Sequence, residues 1–523
     1  MQTVTLDALI PREDFEILSL VGSSGNTRNK STLSIEDLKY DSFFFGALRK
    51  PIFQRETNEW DGEKVCSMIE SFVNDELVPS IILWKNQTGY IFVIDGAHRL
   101  SSLGAWINDD YGDGPISLKY YGNYISEEQK IIAQKTRKLV NERIGTYKDI
   151  ENISRGKLKA DSPYKEKIAK NLGALAIQLQ WVSGDASKAE DSFLKINQSA
   201  TKISDAELEL IINRQKAYAI ASRAIVRAGK GYQYWSGYKE EDKEKIINLS
   251  MEIHSLMFGR GVIDKDDINS YPIGGFLNSS LTLDIVTQTV KICNGIVNLK
   301  DTSVETSDAK EVITSLINTL KILQYIDSKK PFSLGIHPFV YFYSDLGKHK
   351  VGSYYGFLLL IKDLIDSNRL NDFINARERF ENIIYKYNFI VQQIIRKYRQ
   401  SKKAYTMVKE YFSLLIDLIN KNPVDDEDSI LEKIKQDERF KYLQTEIVDN
   451  EIIARKSNFS RGKKQQIKMS TFVASLPKCP ICGGYICSNS VSVDHIQPKR
   501  EGGTNARANG QVTHLYCNTT YKN

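Results

Sequence analysis

The sequence has no run of eighteen apolar residues and no low-complexity tract among its 523 residues. Because a helix needs about twenty apolar residues to cross a bilayer, we expect no membrane segment and no membrane partner. The first ten residues, MQTVTLDALI, lack the basic start and apolar core of a secretory signal. A glycine-rich phosphate-binding loop is also missing. These absences predict a cytoplasmic protein and argue against a Walker-type ATPase.

Cysteine is scarce, with six residues, and four of them lie within the last 45 residues. Two residues separate Cys479 from Cys482, and two separate His514 from Cys517. A gap of two residues lets both side chains of a pair bind one tetrahedral metal, so the spacing predicts a structural Zn²⁺ held by a Cys3His set. The other three cysteines, which we expect to be free thiols in a reducing cytoplasm, are Cys66, Cys293 and Cys487.

The segment between the two pairs contains an acidic and an imidazole side chain on adjacent residues, Asp494 and His495, followed by Asn509. Phosphodiester hydrolysis needs a base beside the attacking water and a hard cation near the scissile phosphate. A neutral imidazole can accept the proton, and the oxygen donors of Asp494 and Asn518 suit Mg²⁺ or Mn²⁺. The alternative is a structural zinc ribbon in which the Asp-His pair has no chemical role.

The order of these residues resembles a known family. The pattern C-x-x-C, D-H-I-x-P, G-G, N and H-x-x-C-N is similar to an HNH endonuclease of the zinc-stapled ββα-metal type. The resemblance implies that Asp494 and Asn518 bind the catalytic divalent metal and that His495 is the general base. It also implies that Asn509 orients the loop that carries the histidine. His514 stands where many relatives have cysteine, and Cys3His is still a closed zinc site.

Positive charge is concentrated near the C-terminus. Residues 451–523 contain 11 Lys and Arg against 3 Asp and Glu, a net charge of +8, whereas the whole chain has a net charge of +6. A basic surface attracts phosphate backbones and makes binding sensitive to salt, which favours double-stranded DNA as the partner. For the leader of this segment, a solvated linker with incidental lysines is the alternative. The basic residues of the leader are Arg455, Lys456, Arg461, Lys463, Lys464 and Lys468.

A second informative stretch is the junction DGAHR, where a predicted strand ends and a helix begins. The unpaired N–H groups and positive dipole end of a helix start attract anions. Gly96 permits the close approach of a ligand, and His98 and Arg99 can add charge-assisted hydrogen bonds to phosphate. The alternative is a local turn, with Asp95 as the helix cap and Arg99 in an ion pair.

The N-terminal region resembles a second family through the segments PIFQR, VPSIILW and VIDGAHRLSSL, with Trp60 between the first two. They are similar to the N-terminal domain of GmrSD-type restriction proteins, which has a ParB/sulfiredoxin-like fold. The family motif is Asp-Gly-Gln-Gln-Arg, which serves nucleotide binding and hydrolysis, and here Ala97 and His98 replace the glutamines. This departure leaves nucleotide hydrolysis open, and Ala97 in place of a cysteine excludes sulfiredoxin chemistry. The pocket residues that the resemblance implies are Gln54, Arg55, Asp95, Gly96, His98 and Arg99.

These patterns predict an α+β multidomain chain. Its parts are a ParB/sulfiredoxin-like domain over residues 1–125, a helical extension over 126–240, a large helical middle domain over 241–450, a basic linker over 451–474 and a small zinc-containing ββα-metal domain over 475–523. Apolar periodicity predicts strands over 78–84 and 90–95, and helices over 61–74, 100–107, 306–328 and 370–398.

Together the two resemblances imply a metal-dependent DNA endonuclease of restriction or phage defence, of the GmrSD/SspE type. Nucleotide binding or DNA modification, sensed by the N-terminal part, would regulate it. The cofactors that follow are structural Zn²⁺, catalytic Mg²⁺ or Mn²⁺, and a nucleoside triphosphate. Modified phage DNA and a second copy of the chain are further candidate partners. Two alternatives stay open: a nicking endonuclease without nucleotide control, and a non-catalytic, zinc-containing DNA-binding regulator.

Overall fold

The computed structural model describes residues 3–13, 29–52, 54, 57–58, 60–122, 125–199, 205–259, 267–277, 279–296, 307–399, 402–445 and 459–522. The chain divides into two compact units. The first comprises Met1–Arg214 and Lys230–Gly237, and the second comprises Gln215–Gly229 and Tyr238–Asn523.

The first unit contains a six-stranded mixed sheet, whose strands in chain order are β1 (Arg12–Glu13), β2 (Thr32–Ser34), β3 (Leu48–Pro51), β4 (Ile81–Lys85), β5 (Ile91–Asp95) and β6 (Ala176–Trp181). Their order across the sheet is β1-β3-β5-β4-β6-β2. Strand β5 is parallel to β3 and antiparallel to β4. Its side chains alternate between two apolar clusters: Ile91 and Val93 belong to the larger one, Phe92 and Ile94 to the smaller. This alternation is typical of a central strand that is buried on both faces.

Nine helices of the first unit lie in its described part: α1 (Phe43–Ala47), α2 (Gly62–Val73), α3 (Ala97–Asn108), α4 (Pro115–Tyr120), α5 (Glu127–Arg143), α6 (Tyr147–Ser154), α7 (Pro163–Asn171), α8 (Ala186–Ser199) and α9 (Asp205–Ile212). Helix α2 begins where the Asp61 carboxylate accepts the Lys64 N–H at 2.9 Å. The two helices and two strands predicted in this unit are confirmed, with ends shifted by at most three residues.

The second unit is mostly helical. Its elements are α10 (Ala217–Val226), α11 (Glu240–Phe258), α12 (Ser279–Cys293), α13 (Ala309–Ile326), α14 (Pro338–Phe342), α15 (Val351–Asp366), α16 (Leu370–Lys386), α17 (Phe389–Lys397), α18 (Lys402–Lys421), α19 (Glu427–Gln436), α20 (Arg461–Ala474), β7 (Val491–His495) and β8 (Gly510–His514). The helix predicted over 306–328 is α13. The one predicted over 370–398 is instead two helices, because the chain turns at Tyr387 and Asn388, where neither Gly nor Pro signals a break.

Helix α20 lies within the region predicted as a basic linker. The Ser460 hydroxyl accepts the Lys463 N–H at its start, at 3.2 Å, and Met469 and Val473 are buried. This part of the leader is therefore an amphipathic helix. The structure describes the basic residues Arg461, Lys463, Lys464 and Lys468, whereas Arg455 and Lys456 lie outside the described residues. Within the described ranges, no helix is long and apolar enough to cross a membrane.

Candidate metal centre and active site

Four potential metal ligands meet where the CPIC turn approaches the end of β8. The Sγ atoms of Cys479, Cys482 and Cys517 and one ring nitrogen of His514 lie within 4.8 Å of one another, and all four residues are buried. In a tetrahedral Zn²⁺ site, two sulfur atoms are about 3.8 Å apart, and sulfur and nitrogen about 3.6 Å. His514 Nδ1 lies 3.3 Å from Cys482 Sγ and 3.8 Å from Cys517 Sγ. The donor set and its spacing therefore fit one Zn²⁺.

The His514 ring is fixed by a hydrogen bond on its other side. Its Nε2 lies 3.0 Å from the carbonyl oxygen of Tyr485. Because a carbonyl only accepts, Nε2 carries the proton and Nδ1 presents its lone pair to the sulfur atoms. Burial lowers the pKa of His514, and the nearby Arg377 guanidinium lowers it further. The ring is therefore neutral, as a zinc ligand must be.

The β7–β8 hairpin places the Asp-His pair at one end of a short antiparallel ladder, with Asp494 opposite Gln511. The Asp494 Oδ2 atom accepts from Gln511 Nε2 at 3.1 Å and from Lys522 Nζ at 2.7 Å. Its Oδ1 accepts the backbone N–H of His495 at 2.8 Å. Burial alone would raise the pKa of Asp494, but the hydrogen bonds from Lys522 and Gln511 bring it below its ordinary value. Asp494 is therefore ionised at neutral pH and already contacts a cation.

The ring of His495 is held by a residue of the loop between the two strands. Its Nε2 lies 3.1 Å from Oδ1 of Asn505. An amide oxygen only accepts, so with this partner Nε2 carries the proton and Nδ1 is the atom that can accept one. In this tautomer the nitrogen that can act as a base is Nδ1, on the side of the ring away from Asn505.

Asn509 closes the loop that follows His495. Its Oδ1 accepts the Gln497 N–H at 2.8 Å. Its Nδ2 donates to the carbonyl oxygens of Gln497, at 3.1 Å, and Thr504, at 2.8 Å. These three hydrogen bonds fix both ends of the loop, which is the geometry that an orienting residue needs. Its role in catalysis remains a prediction.

Asn518 lies in the last turn of the chain, Cys517–Tyr521, and contacts β7. Its Nδ2 donates to Ser492 Oγ at 2.7 Å and to the Val493 carbonyl oxygen at 3.4 Å. Oxygen donors such as the Asp494 carboxylate and the Asn518 amide are the ligands that hard divalent cations prefer. The assignment of these two residues to a catalytic metal remains a prediction.

In the first unit, predicted pocket residues gather at the start of α3. Gly96 precedes the helix with a φ of +100°, a conformation that favours glycine, and a Cβ there would collide with Ile81. Arg99 donates from Nη2 to Asp95 Oδ2 at 2.8 Å and to the Ser80 carbonyl oxygen at 3.2 Å. The structure thus has the local ion pair of the alternative interpretation, although Gly96 and not Asp95 occupies the cap position.

The remaining pocket residues have other surroundings. The His98 ring stacks on Trp60, with 5.4 Å between the ring centroids, so an aromatic side chain lies beside the start of α3. Gln54 is buried, and its backbone carbonyl accepts from the Arg12 guanidinium. Arg55 lies outside the described residues. No catalytic or binding role of these residues is tested by this geometry.

Two family models match the chain. Residues 35–213 match the N-terminal domain of the GmrSD restriction endonuclease, and residues 479–523 match the HNH endonuclease. Comparison with curated proteins and with solved structures found no match. The HNH match spans the Cys3His cluster, the hairpin and the last turn, so both resemblances seen in the sequence are confirmed.

Three residues of the HNH site were not identified from the sequence: Asn505, Gln511 and Lys522. The first two approach the Asp-His pair only because of the hairpin register and the loop conformation. Fourteen residues separate β7 from β8, and a loop of that length does not specify a register as a two-residue turn does. No motif in the sequence indicates Lys522, which lies directly after the last turn and contacts Asp494.

We expect Asn505→Ala to slow DNA cleavage by about tenfold, because the His495 ring loses the acceptor that orients it. Asn505→Asp keeps an acceptor oxygen but adds negative charge, which favours the protonated imidazole. Because the base must be deprotonated to act, the acid side of the pH–rate profile should move to higher pH. The measurement is the nicking rate of supercoiled plasmid as a function of pH. An unmoved profile in Asn505→Asp would contradict a functional contact.

The Lys522 ammonium contacts Asp494 and would compete with a divalent cation bound there. We expect Lys522→Met to lower the Mn²⁺ concentration for half-maximal nicking by about three- to tenfold, since a nearby positive charge is removed. Lys478→Met, which removes a half-exposed charge from the predicted 475–523 domain, is the control and should leave that concentration unchanged. A higher Mn²⁺ requirement in Lys522→Met would show that the lysine supports the site instead.

Proposed function

We propose that this protein is a restriction endonuclease whose HNH domain hydrolyses double-stranded DNA with Mg²⁺ or Mn²⁺. The proposal is carried by the Asp494–His495 pair at the end of β7, within the segment that matches the HNH family. Asn509 fixes the adjoining loop, and His514 connects β8 to the Cys3His cluster. A zinc ribbon without chemistry would have no need of this set of polar contacts around an Asp-His pair.

Each side chain has a definite part in the proposed reaction. His495, with its Nε2 proton directed to Asn505, accepts the proton of the attacking water at Nδ1. The Asp494 carboxylate and the Asn518 amide oxygen would hold the divalent cation. When bound, that cation neutralises charge on the scissile phosphate and on the leaving oxygen.

Exposed basic side chains of the HNH domain and of the helix that precedes it in the sequence support a nucleic-acid substrate. Such charges bind phosphates without reading sequence, so recognition of a particular DNA must come from elsewhere in the protein. On the strength of the restriction match, we propose modified phage DNA as the substrate class. The exposed basic residues are Arg461, Lys463 and Lys464 on α20, and Lys499, Arg500 and Arg507 in the HNH domain.

For the GmrSD domain, we propose a ParB/sulfiredoxin-like fold with a nucleotide-phosphate site at the start of α3. The left-handed Gly96 before the helix and the aromatic wall of Trp60 beside His98 support it. Phosphate binding would require Arg99 to share or leave Asp95. A nuclease without nucleotide control is the second candidate, and the Arg99–Asp95 ion pair favours it because the guanidinium is already neutralised within the domain.

We expect the wild-type protein to nick supercoiled plasmid in the presence of Mg²⁺ or Mn²⁺, and His495→Ala to lose at least about a hundredfold in rate, because the general base is removed. Val493→Ala is the matched control, since Val493 is an exposed residue on the same strand, and it should cut like wild type. Equal cutting by His495→Ala would refute the catalytic assignment. Loss of cutting with unchanged DNA binding separates an enzyme from a non-catalytic regulator.

The nucleotide site predicts that ATP or GTP changes the nicking rate of wild type and has no effect on Arg99→Ala, because the phosphate loses its guanidinium partner. Arg155→Ala, which removes a half-exposed arginine of the same domain, should respond like wild type. If neither nucleotide changes the nicking rate of the wild type and neither binds to the protein, the nuclease without nucleotide control is supported.

A further inference from the structure

A buried ion pair of the helical part of the second unit lies against the Cys3His cluster. Arg377 and Glu381, one turn apart on α16, have side chains that are 0% and 1% exposed. Arg377 Nε donates to Glu381 Oε1 at 2.7 Å. Arg377 Nη1 lies 3.3 Å from His514 Nδ1, the ring atom that faces the sulfur atoms. The Arg377 guanidinium, which lies outside the segment that matches the HNH family, therefore contacts the potential metal ligands.

Glu381 attaches the CPIC turn to the same helix. Its Oε2 accepts the backbone N–H of Tyr485 at 2.6 Å, and its Oε1 accepts the hydroxyl of Tyr341 at 2.8 Å. The carbonyl of Tyr485 in turn accepts from His514 Nε2. The backbone of one residue thus links a metal ligand to α16.

Two glycines allow this close approach. A Cβ on Gly484 would collide with the Arg377 guanidinium, and one on Gly483 would lie 2.6 Å from Glu378 Cβ. Gly483 also has a φ of +69°, which favours glycine. The Gly-Gly that follows CPIC is therefore required by the contact with α16 as well as by the turn.

The loop between α13 and α14 encloses His514 from a second side. The Ser333 carbonyl accepts the Tyr516 N–H at 3.0 Å. A Cβ on Gly335 would lie 2.9 Å from His514 Cδ2. Arg377 Nη2 donates to the Gly335 carbonyl oxygen at 3.0 Å. The same guanidinium therefore contacts α16, this loop and the cluster.

The charges of this arrangement favour the metal-loaded cluster. Zn²⁺ with three thiolates and a neutral imidazole has a net charge of about −1, and burying an uncompensated charge is unfavourable. The buried Arg377 guanidinium supplies a compensating positive charge, because its Nη1 lies 3.3 Å from Nδ1 of the ligand His514.

We propose that the zinc centre fastens the HNH domain to the helical part of the second unit, with Arg377 as the positioning residue that completes it. The ligands come from the HNH segment, and the compensating cation and the carboxylate that holds the CPIC turn come from α16. Zinc binding and the docking of the HNH domain onto α16 are then coupled. Loss of the zinc weakens the docking, and loss of the docking contact speeds the release of zinc. The inference depends neither on nucleotide control nor on DNA cleavage.

The experiment uses the full-length zinc-loaded protein and three variants. Arg377→Met removes the charge at similar length, and Arg377→Lys keeps the charge with fewer donors. Lys386→Met removes a half-exposed charge from the same helix and is the control. Zinc release to a chromophoric chelator is followed in each. Hydrogen exchange at the Tyr485 and Tyr516 amides and along α16 is measured in the wild type before and after zinc removal.

We expect Arg377→Met to release zinc about 10- to 100-fold faster than wild type, Arg377→Lys to be intermediate and Lys386→Met to be unchanged. In the zinc-free wild type, the Tyr485 and Tyr516 amides should lose protection together. Release at the wild-type rate from folded Arg377→Met, or unchanged protection after zinc removal, would overturn the proposal. If Arg377→Met does not fold, the exchange measurement on the wild type decides the question.

Discussion

The packing of the C-terminal HNH segment depends on the ion pair of Arg377 and Glu381. Moving two charges out of water is unfavourable by several kcal/mol per ion, so such a pair persists only where its remaining donors and acceptors are satisfied. Here two backbone carbonyls, a tyrosine hydroxyl and a backbone N–H supply those partners. They come from α14, the loop just before it and the CPIC turn, so the pair on α16 joins the stretch around α14 to a turn that is far from it in sequence.

A single strand, β8, connects this ion pair's neighbour His514 to the Asp-His pair. Strand β8 contributes His514 to the Cys3His cluster and Gln511, three residues earlier, to the Asp494 carboxylate. The Cys3His cluster therefore holds one end of the strand, and the Asp494 carboxylate lies opposite the other end. Because a five-residue strand has little freedom once one end is fixed, the Cys3His cluster also constrains the position of the Asp-His pair.

Features that depend on residues close together in the sequence could be predicted, and features that depend on residues far apart could not. The Cys3His spacing, the strand before Gly96 and helix α2 depend on neighbouring residues, and all were predicted. Arg377 and His514 are 137 residues apart, and no local pattern links them. For Arg99, phosphate binding and a local ion pair fit the sequence equally well, and the folded geometry contains the ion pair. The break at Tyr387 was missed because neither Gly nor Pro marks it. Helix α20 was missed although Ser460 is a typical N-cap residue, because the basic composition of the segment favoured a solvated linker.

The Gly-Gly after the CPIC turn also bears on how this nuclease could be exchanged between proteins. The sequence match begins at residue 479, yet the surface against which the two glycines pack belongs to α16, about a hundred residues earlier. A graft that follows the sequence boundary would leave the whole desolvated ion pair behind, without its contacts to the CPIC turn and to His514, and would expose the HNH side of the interface. The unit that recombination or engineering could transplant intact therefore includes α16 and the loop before α14. The HNH domain is then expected to be inherited together with the helices against which it packs.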